Sequence, residues 1–286
     1  MAEQLKLSNG IITAVISTKG AELKSVVKDG AETLWEGNPD VWSGQAPLLF
    51  PICGGLKDDK YIFEGKEYNL QKHGYARTSK FEIEAAEGTS ATFILRSNED
   101  TKKQFPFDYE LRVTYTLVDN KINVGYCVKN AGSGDMYFSI GSHEAYACPG
   151  GIEEYSLIFD EEEAFTCNVL NGNLLEHNTY SVGEGRELSL KYDFFAIDAL
   201  TFLNLKSRGV DLVHRQSGKK LRVEFNGFDY LFVWTKPNAY ANYICIEPWC
   251  GIPDFVDSDF DITKKRGIIK LEPNAEKVLT HSIILD

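Results

Sequence analysis

Residues 109–128, YELRVTYTLVDNKINVGYCV, decide the fold. Tyr109, Leu111, Val113, Tyr115 and Leu117 alternate with Glu110, Arg112, Thr114 and Thr116. A period of two sends successive side chains to opposite faces, which makes a strand with one face in a core and one in water. Asp119-Asn120 is a turn signal, and beyond it Ile122, Val124, Tyr126 and Val128 alternate with Lys121, Asn123, Gly125 and Cys127. Two half-buried strands joined by such a turn form an antiparallel hairpin.

The same pattern spreads outward. Leu221, Val223 and Phe225 alternate, and Asn226-Gly227 then turns the chain into the apolar run 230–234. Shorter strands are expected at 11–17, 81–85, 91–96, 137–141, 155–159, 243–247 and 278–284, with a hairpin over 61–70 around Glu64-Gly65. Residues 160–180 read as a loop, and the run Glu161-Glu162-Glu163 as its solvated part. Helical periodicity is confined to short pieces near 99–104 and 193–199. With no Pro- or Ser-rich linker and no fixed-period repeat, residues 1–286 read as a single all-β domain, a large antiparallel β-sandwich with few short helices.

Bulk properties narrow the function. A formal charge of −12 argues against nucleic acid and anionic membrane, which recruit clustered Lys and Arg. No run approaches the ~18 apolar residues of a membrane span, and the start, MAEQLKLSNG, lacks the basic and apolar regions of a signal peptide. Cys53, Cys127, Cys148, Cys167, Cys245 and Cys250 form no CxxC pair. A reduced, cytoplasmic, metal-free protein is the simplest expectation.

Three segments carry groups suited to proton transfer: His73 in QKHGYAR, His143 in SIGSHEAYACP and Glu247 in CIEPWCGIPD. Free pKa values of about 6.5 for His and about 4.3 for Glu place both within reach of neutral pH after modest burial. His73 precedes Gly74, where backbone approaches a ligand closely. It serves equally well as a hydrogen-bonded structural histidine. His143 follows a strand end, aimed at a cleft, while Glu144 alternates away from it. Glu247 leaves an apolar strand, so desolvation raises its pKa toward that of a useful base. Trp249 beside it offers a face on which a sugar ring stacks, whereas Trp35, Trp42 and Trp234 read as core. Arg77 suits a hydroxyl or a phosphate, and Lys72 reads as a solvated charge.

Other signals are weaker. Asp257, Asp259 and Asp261 mimic an EF-hand start, but Ile262 stands where that loop requires Gly and Ile268 where it requires Glu. A facial metal triad of His73, His143 and Glu247 lacks the His-x-Asp/Glu pair with which such sites begin. His177, His214 and His281 have no suggestive company.

Taken together these segments resemble the aldose 1-epimerase (galactose mutarotase) family, in its LacX-like branch. The likeness runs from NGIITAVISTKGAELKSV through LFPICGGLKDDKYIFEGKEYNLQKHGYAR, FPFDYELRVTYTL, SIGSHEAYACP, AIDALTF and CIEPWCGIPD to LEPNAEKVLTHSIIL. The resemblance implies a β-supersandwich and the interconversion of sugar anomers with no cofactor. It implies Glu247 as base on the anomeric hydroxyl, His143 as acid on the ring oxygen, His73 as a polarising group and Asp198 as a ligand of sugar hydroxyls. Two departures stand out. Glu144 follows His143 where the family commonly has Pro, and Gly44 and Gly55 stand in the region where sugar-contacting members often carry an arginine, leaving Lys57 as the neighbouring positive group for substrate. The partner is then a small-molecule hexose or hexose phosphate. The oligomeric state stays open. A non-catalytic carbohydrate-binding or sensing protein on the same scaffold is the alternative; a glycoside hydrolase or lyase is the third reading, and hydrolysis is disfavoured because only one carboxylate is evident.

Overall fold

The computed structural model describes residues 2–286. Fourteen strands form one hydrogen-bonded sheet. Its path starts at Ile140–Gly141 and runs through Tyr243–Cys250, Tyr230–Trp234, Leu200–Phe202 and Tyr155–Asn171. It continues through Gly209–His214, Lys220–Glu224, Glu276–Leu285, Lys121–Asn130, Tyr109–Val118 and Ser90–Arg96 to Glu82–Glu87. A second sheet of four strands, Gln4–Ser8, Ile12–Ser17, Leu23–Lys28 and Ala31–Glu32, packs on it. Ile12, Ala14, Ile16 and Leu23 share one buried cluster with Leu111, Val113 and Tyr115, and the Tyr115 hydroxyl donates to Ala21 O at 2.8 Å.

A twisted sheet of this width curls on itself. The curl is visible in one contact. Strand Glu144–Ala147, which pairs with Tyr243–Cys250, has six strands of the path between it and Glu276–Leu285, yet Glu144 Oε1 lies 3.2 Å from His281 Nε2. The two halves of the large sheet therefore face each other across the core as a β-sandwich.

The hairpin of residues 109–128 is present as Tyr109–Val118 paired with Lys121–Asn130, with strictly alternating burial along both strands. Asp119 takes the left-handed conformation (φ 52°) that the tight turn requires. The hairpin around Glu64-Gly65 is also present. The turn at Asn226-Gly227 carries the chain between strands that do not pair with each other. Near 99–104 a single helical turn, Glu99–Lys102, is held by a capping box in which Asn98 Oδ1 accepts from Thr101 N and Thr101 Oγ1 accepts from Asn98 N. The piece near 193–199 is a 3₁₀ turn at Tyr192–Phe195.

Residues 160–180 are not a loop. Tyr155–Asn171 and Leu174–Ser189 form a long hairpin whose pairing slips at three places. Each slip breaks the alternation that marks a strand in sequence. Glu163 is not solvated either: it is buried, and its carboxylate accepts from Lys206 N, Ser207 N and Ser207 Oγ at 2.7–3.0 Å. Strands at 4–8, 23–28, 200–202 and 209–214 carried too little alternation to be expected. No helix among the described residues is long and apolar enough to cross a membrane.

Candidate active site

A cavity of about 220 Å³ opens where the strand Tyr243–Cys250 meets the segments around His73 and His143. Pairing explains its wall. Phe232 lies opposite Glu247 and Trp234 opposite Cys245, so these side chains share one face of the sheet. Glu247, central on a strand buried along its whole length, enters the cavity with 2% of its surface exposed.

His143 sits between Ile140–Gly141 and Glu144–Ala147, two short strands that both pair with Tyr243–Cys250. The neck that carries it is pinned on both sides. Ser142 N donates to Pro248 O at 3.1 Å, and Trp249 Nε1 donates to Ser142 O at 3.0 Å. His143 Nε2 consequently lies 3.4 Å from Glu247 Oε2, while its Nδ1 is buried without a partner.

His73 is held by a reciprocal pair: its N–H donates to Gly54 O at 2.9 Å, and Gly54 N donates to its Nδ1 at 3.1 Å. With Nδ1 accepting, the ring proton of neutral His73 resides on Nε2, which makes that atom a donor. The His73 ring stands edge-on to His143 and to Trp249, with centroids 5.7 and 5.5 Å away. Gly74 approaches protein rather than ligand. It has φ 66°, and a Cβ there would lie 2.3 Å from Phe50 O, whose carbonyl also accepts from Tyr75 N and Ala76 N.

Burial acts against charge on all three groups. It pushes the His143 imidazolium down to about 3, assisted by the positive charges of Lys72 and Arg77. It lowers His73 well below its usual range, with His143, Lys72 and Arg77 adding to the effect. It raises Glu247 well above the carboxylate range, where Asp198 and Glu144 push in the same direction against Lys72. Neutral carboxyl plus neutral imidazole carries the same single proton as carboxylate plus imidazolium, so the pair stores one mobile proton in either form.

The remaining expected residues divide. Asp198 and Arg77 line the cavity. Arg77 Nη2 donates to Lys72 O at 2.9 Å, and among the described residues no carboxylate comes within ion-pair distance of its guanidinium. Trp249 lines it too, but with its ring stacked on Phe232 (centroids 3.8 Å apart) and only 3% exposed, so it is a wall and a clamp on Ser142 rather than an open platform. Lys57 lies outside the cavity: its Nζ donates to Ser258 O at 3.2 Å and sits over the Phe260 ring.

Four lining residues that carry polar side-chain atoms were not expected. Lys72, read as solvated, reaches the cavity with its Nζ 3.8 Å from Asp198 Oδ2. Its place beside His73 in one turn was the available signal. Trp42 and Trp234, read as core, flank His143 with ring centroids 5.2 and 5.6 Å away, whereas Trp35 is buried and donates from Nε1 to Trp42 O. Asn173, at the tip of the long hairpin, is the fourth. Trp42 and Asn173 also account for the two glycines. A Cβ at Gly44 would lie 2.4 Å from the Trp42 ring, and one at Gly55 would lie 2.6 Å from Asn173 Cβ. An arginine at either place would displace a residue that lines the cavity.

Behind the site, Glu144 faces away from His143, as alternation requires, and meets His281 in the core. His281 thus has a partner that its sequence neighbourhood did not reveal, and its Nδ1 is 3.4 Å from the Tyr126 hydroxyl. Burial raises the Glu144 carboxyl, but the His281 ring 3.2 Å away outweighs it and leaves the group below its ordinary value.

The sequence profile of aldose 1-epimerase matches residues 3–283. The chain belongs to the aldose 1-epimerase family. It is 35% identical to the plasmid-encoded protein LacX of Lactococcus lactis subsp. lactis, covering 94% of this chain and 95% of that one. Among solved structures it is similar to a galactose mutarotase related enzyme from Lactobacillus acidophilus, with a TM-score of 0.94 and 32% identity over 99% of this chain and 97% of that one. A galactose mutarotase-like protein from Lactobacillus casei superposes with a TM-score of 0.94 at 28% identity, covering 99% of this chain and all of its counterpart. Membership in the aldose 1-epimerase family agrees with an antiparallel β-sandwich and with a sugar as substrate class.

Proposed function

We propose that this protein is a mutarotase that interconverts the α and β anomers of a hexose through Glu247 and His143. The observation that carries the reading is the Glu247–His143 pair, both buried and 3.4 Å apart, with the Nε2–H of His73 beside it. Glu247 takes the proton of the anomeric hydroxyl while His143 gives one to the ring oxygen. The C1–O5 bond breaks to leave the open-chain aldehyde. Rotation about C1–C2 presents the other carbonyl face, and reclosure returns both protons. Each positioned proton-transfer group supplies about 10²–10⁴ in rate. The incoming sugar hydroxyls provide the polar contacts under which the shared proton moves to His143, so that the carboxylate–imidazolium form acts.

His73 Nε2–H donates to the sugar, and Asp198 accepts from its hydroxyls with Lys72 alongside. Arg77, without a carboxylate of its own, supports a phosphorylated hexose as the alternative substrate. Six unpaired cysteines suit a reducing cytoplasm. A pure sugar-binding role is the competing reading, favoured by the occupied spaces at Gly44 and Gly55. Polarimetry of freshly dissolved α-glucose and α-galactose, with exchange NMR of glucose 6-phosphate, separates the two. Acceleration that disappears in His143→Asn supports a mutarotase. Folded protein that binds these sugars without accelerating exchange is a binder.

A further inference from the structure

Cys245 plays no part in that chemistry, yet it lies beside it. It precedes Glu247 by two positions on one strand, so both side chains leave the same face of the sheet. Its Sγ, one His143 ring nitrogen and one Glu247 oxygen all lie within 4.8 Å of one another. All six cysteines are free thiols, and Cys245 is fully buried. Independently, His143 Nδ1 is a buried polar atom that no group among the described residues satisfies.

We propose that His143, Cys245 and Glu247 form a binding site for a thiophilic divalent cation of the Zn²⁺ class, and that the bound ion switches the proton-transfer pair off. Three arguments support it. The first is ligand chemistry: an imidazole, a thiolate and a carboxylate are the donors that Zn²⁺ accepts, and the thiolate disfavours Mg²⁺ and Ca²⁺. The second is geometry. Zn–S of about 2.3 Å and Zn–N or Zn–O of about 2.0–2.2 Å place tetrahedral ligand atoms roughly 3.3–3.7 Å apart. The trio, at most 4.8 Å apart, closes by roughly 1–1.5 Å to reach that spacing. The third is electrostatic. Binding replaces the thiol and carboxyl protons, which leave through the cavity, and the resulting cation, thiolate, carboxylate and neutral imidazole sum to zero charge. A neutral complex is the one that a buried site tolerates. Because His143 and Glu247 line the cavity, the fourth position faces it and takes water or a sugar hydroxyl.

Binding rests on these three residues alone, whereas the switching effect rests on the mutarotase reading. The test therefore has two readouts. Chelator-treated protein is titrated with Co²⁺, followed by its near-ultraviolet thiolate charge-transfer band, and then with Zn²⁺ in competition. One equivalent per chain is expected, and the band is expected to vanish in Cys245→Ser and Cys245→Ala. Zn²⁺ affinity should fall in both by more than the roughly 10–100-fold that losing an outer-shell partner costs. Absence of a thiolate band, or equal Zn²⁺ affinity in the parent and both variants, overturns the site. If neither variant folds, cadmium NMR of the parent decides, since a one-thiolate shift is expected and an all-oxygen-and-nitrogen shift refutes. In the second readout, Zn²⁺ slows anomer exchange in the parent and not in Cys245→Ser. Binding without slowing refutes the switch and keeps the site. Absence of exchange before any metal is added removes the mutarotase reading and leaves the metal site standing.

Discussion

Glu247→Gln should remove activity and stabilise the protein in a pH-dependent way. The exchange keeps shape and burial but deletes the group that takes the anomeric proton. Loss of one positioned proton-transfer group predicts a fall of about 10²–10⁴ in rate, or about 3–5 kcal/mol of transition-state stabilisation at ~1.36 kcal/mol per tenfold. The stability effect follows from the raised pKa of the buried carboxyl. Between the unfolded value of about 4.3 and the higher folded value, the native state binds more protons than the unfolded state. Stability then declines as pH rises through that window, and the parent carries this burden at neutral pH. Glutamine has no such titration, so the difference in melting temperature between Glu247→Gln and parent should widen in favour of the variant from pH 4.5 to pH 8. Polarimetry reads the first effect and thermal melts across pH read the second. Full activity in the variant refutes the assigned base. A pH-independent stability difference refutes the desolvated carboxyl, even with activity lost.

Three further outcomes are expected. Arg77→Ala should weaken binding of hexose 6-phosphate much more than that of free hexose in competition assays, because its guanidinium has no carboxylate partner among the described residues; equal loss on both rejects phosphate recognition. Gly74→Ala should destabilise by at least about 1–3 kcal/mol, the cost of left-handed backbone alone, with a larger loss from the 2.3 Å clash with Phe50 O; activity should fall with it as His73 shifts, and denaturant melts with matched rates check both. Glu144→Ala should cost about 1–3 kcal/mol by leaving the buried His281 ring without its partner. Since the folded pKa of Glu144 is lowered, its contribution is complete above about pH 4.3 and disappears as pH falls through the folded value, so the parent and Glu144→Ala melting curves should converge in acid.

What could be read in advance followed from local physics. Alternation over residues 109–128 needs no tertiary knowledge, because a strand with one wet face shows it directly. Glu247, His143 and His73 stood out because ionisable groups are rare at the ends of apolar strands, and because His73 adjoins a glycine. The irregular strands were hidden for the converse reason. The slips in Tyr155–Asn171 shift the pattern every few residues, so a hairpin reads as a loop and Glu163 as a surface charge.

The rest was decided by which strands became neighbours. Sequence established the all-β class and the kind of proton-transfer groups available. Only strand pairing placed His143 3.4 Å from Glu247, and only the folded chain, with its sheet curled on itself, brought Trp42, Trp234, Lys72 and Asn173 to one cavity and left Lys57 outside it. The same curl paired Glu144 with His281 across six intervening strands. Side-chain type and periodicity are local properties of the chain. Which aromatic lines a cavity, and which buried acid finds a base, depend on contacts between segments far apart in sequence, and those exist only once the sheet has closed around its core.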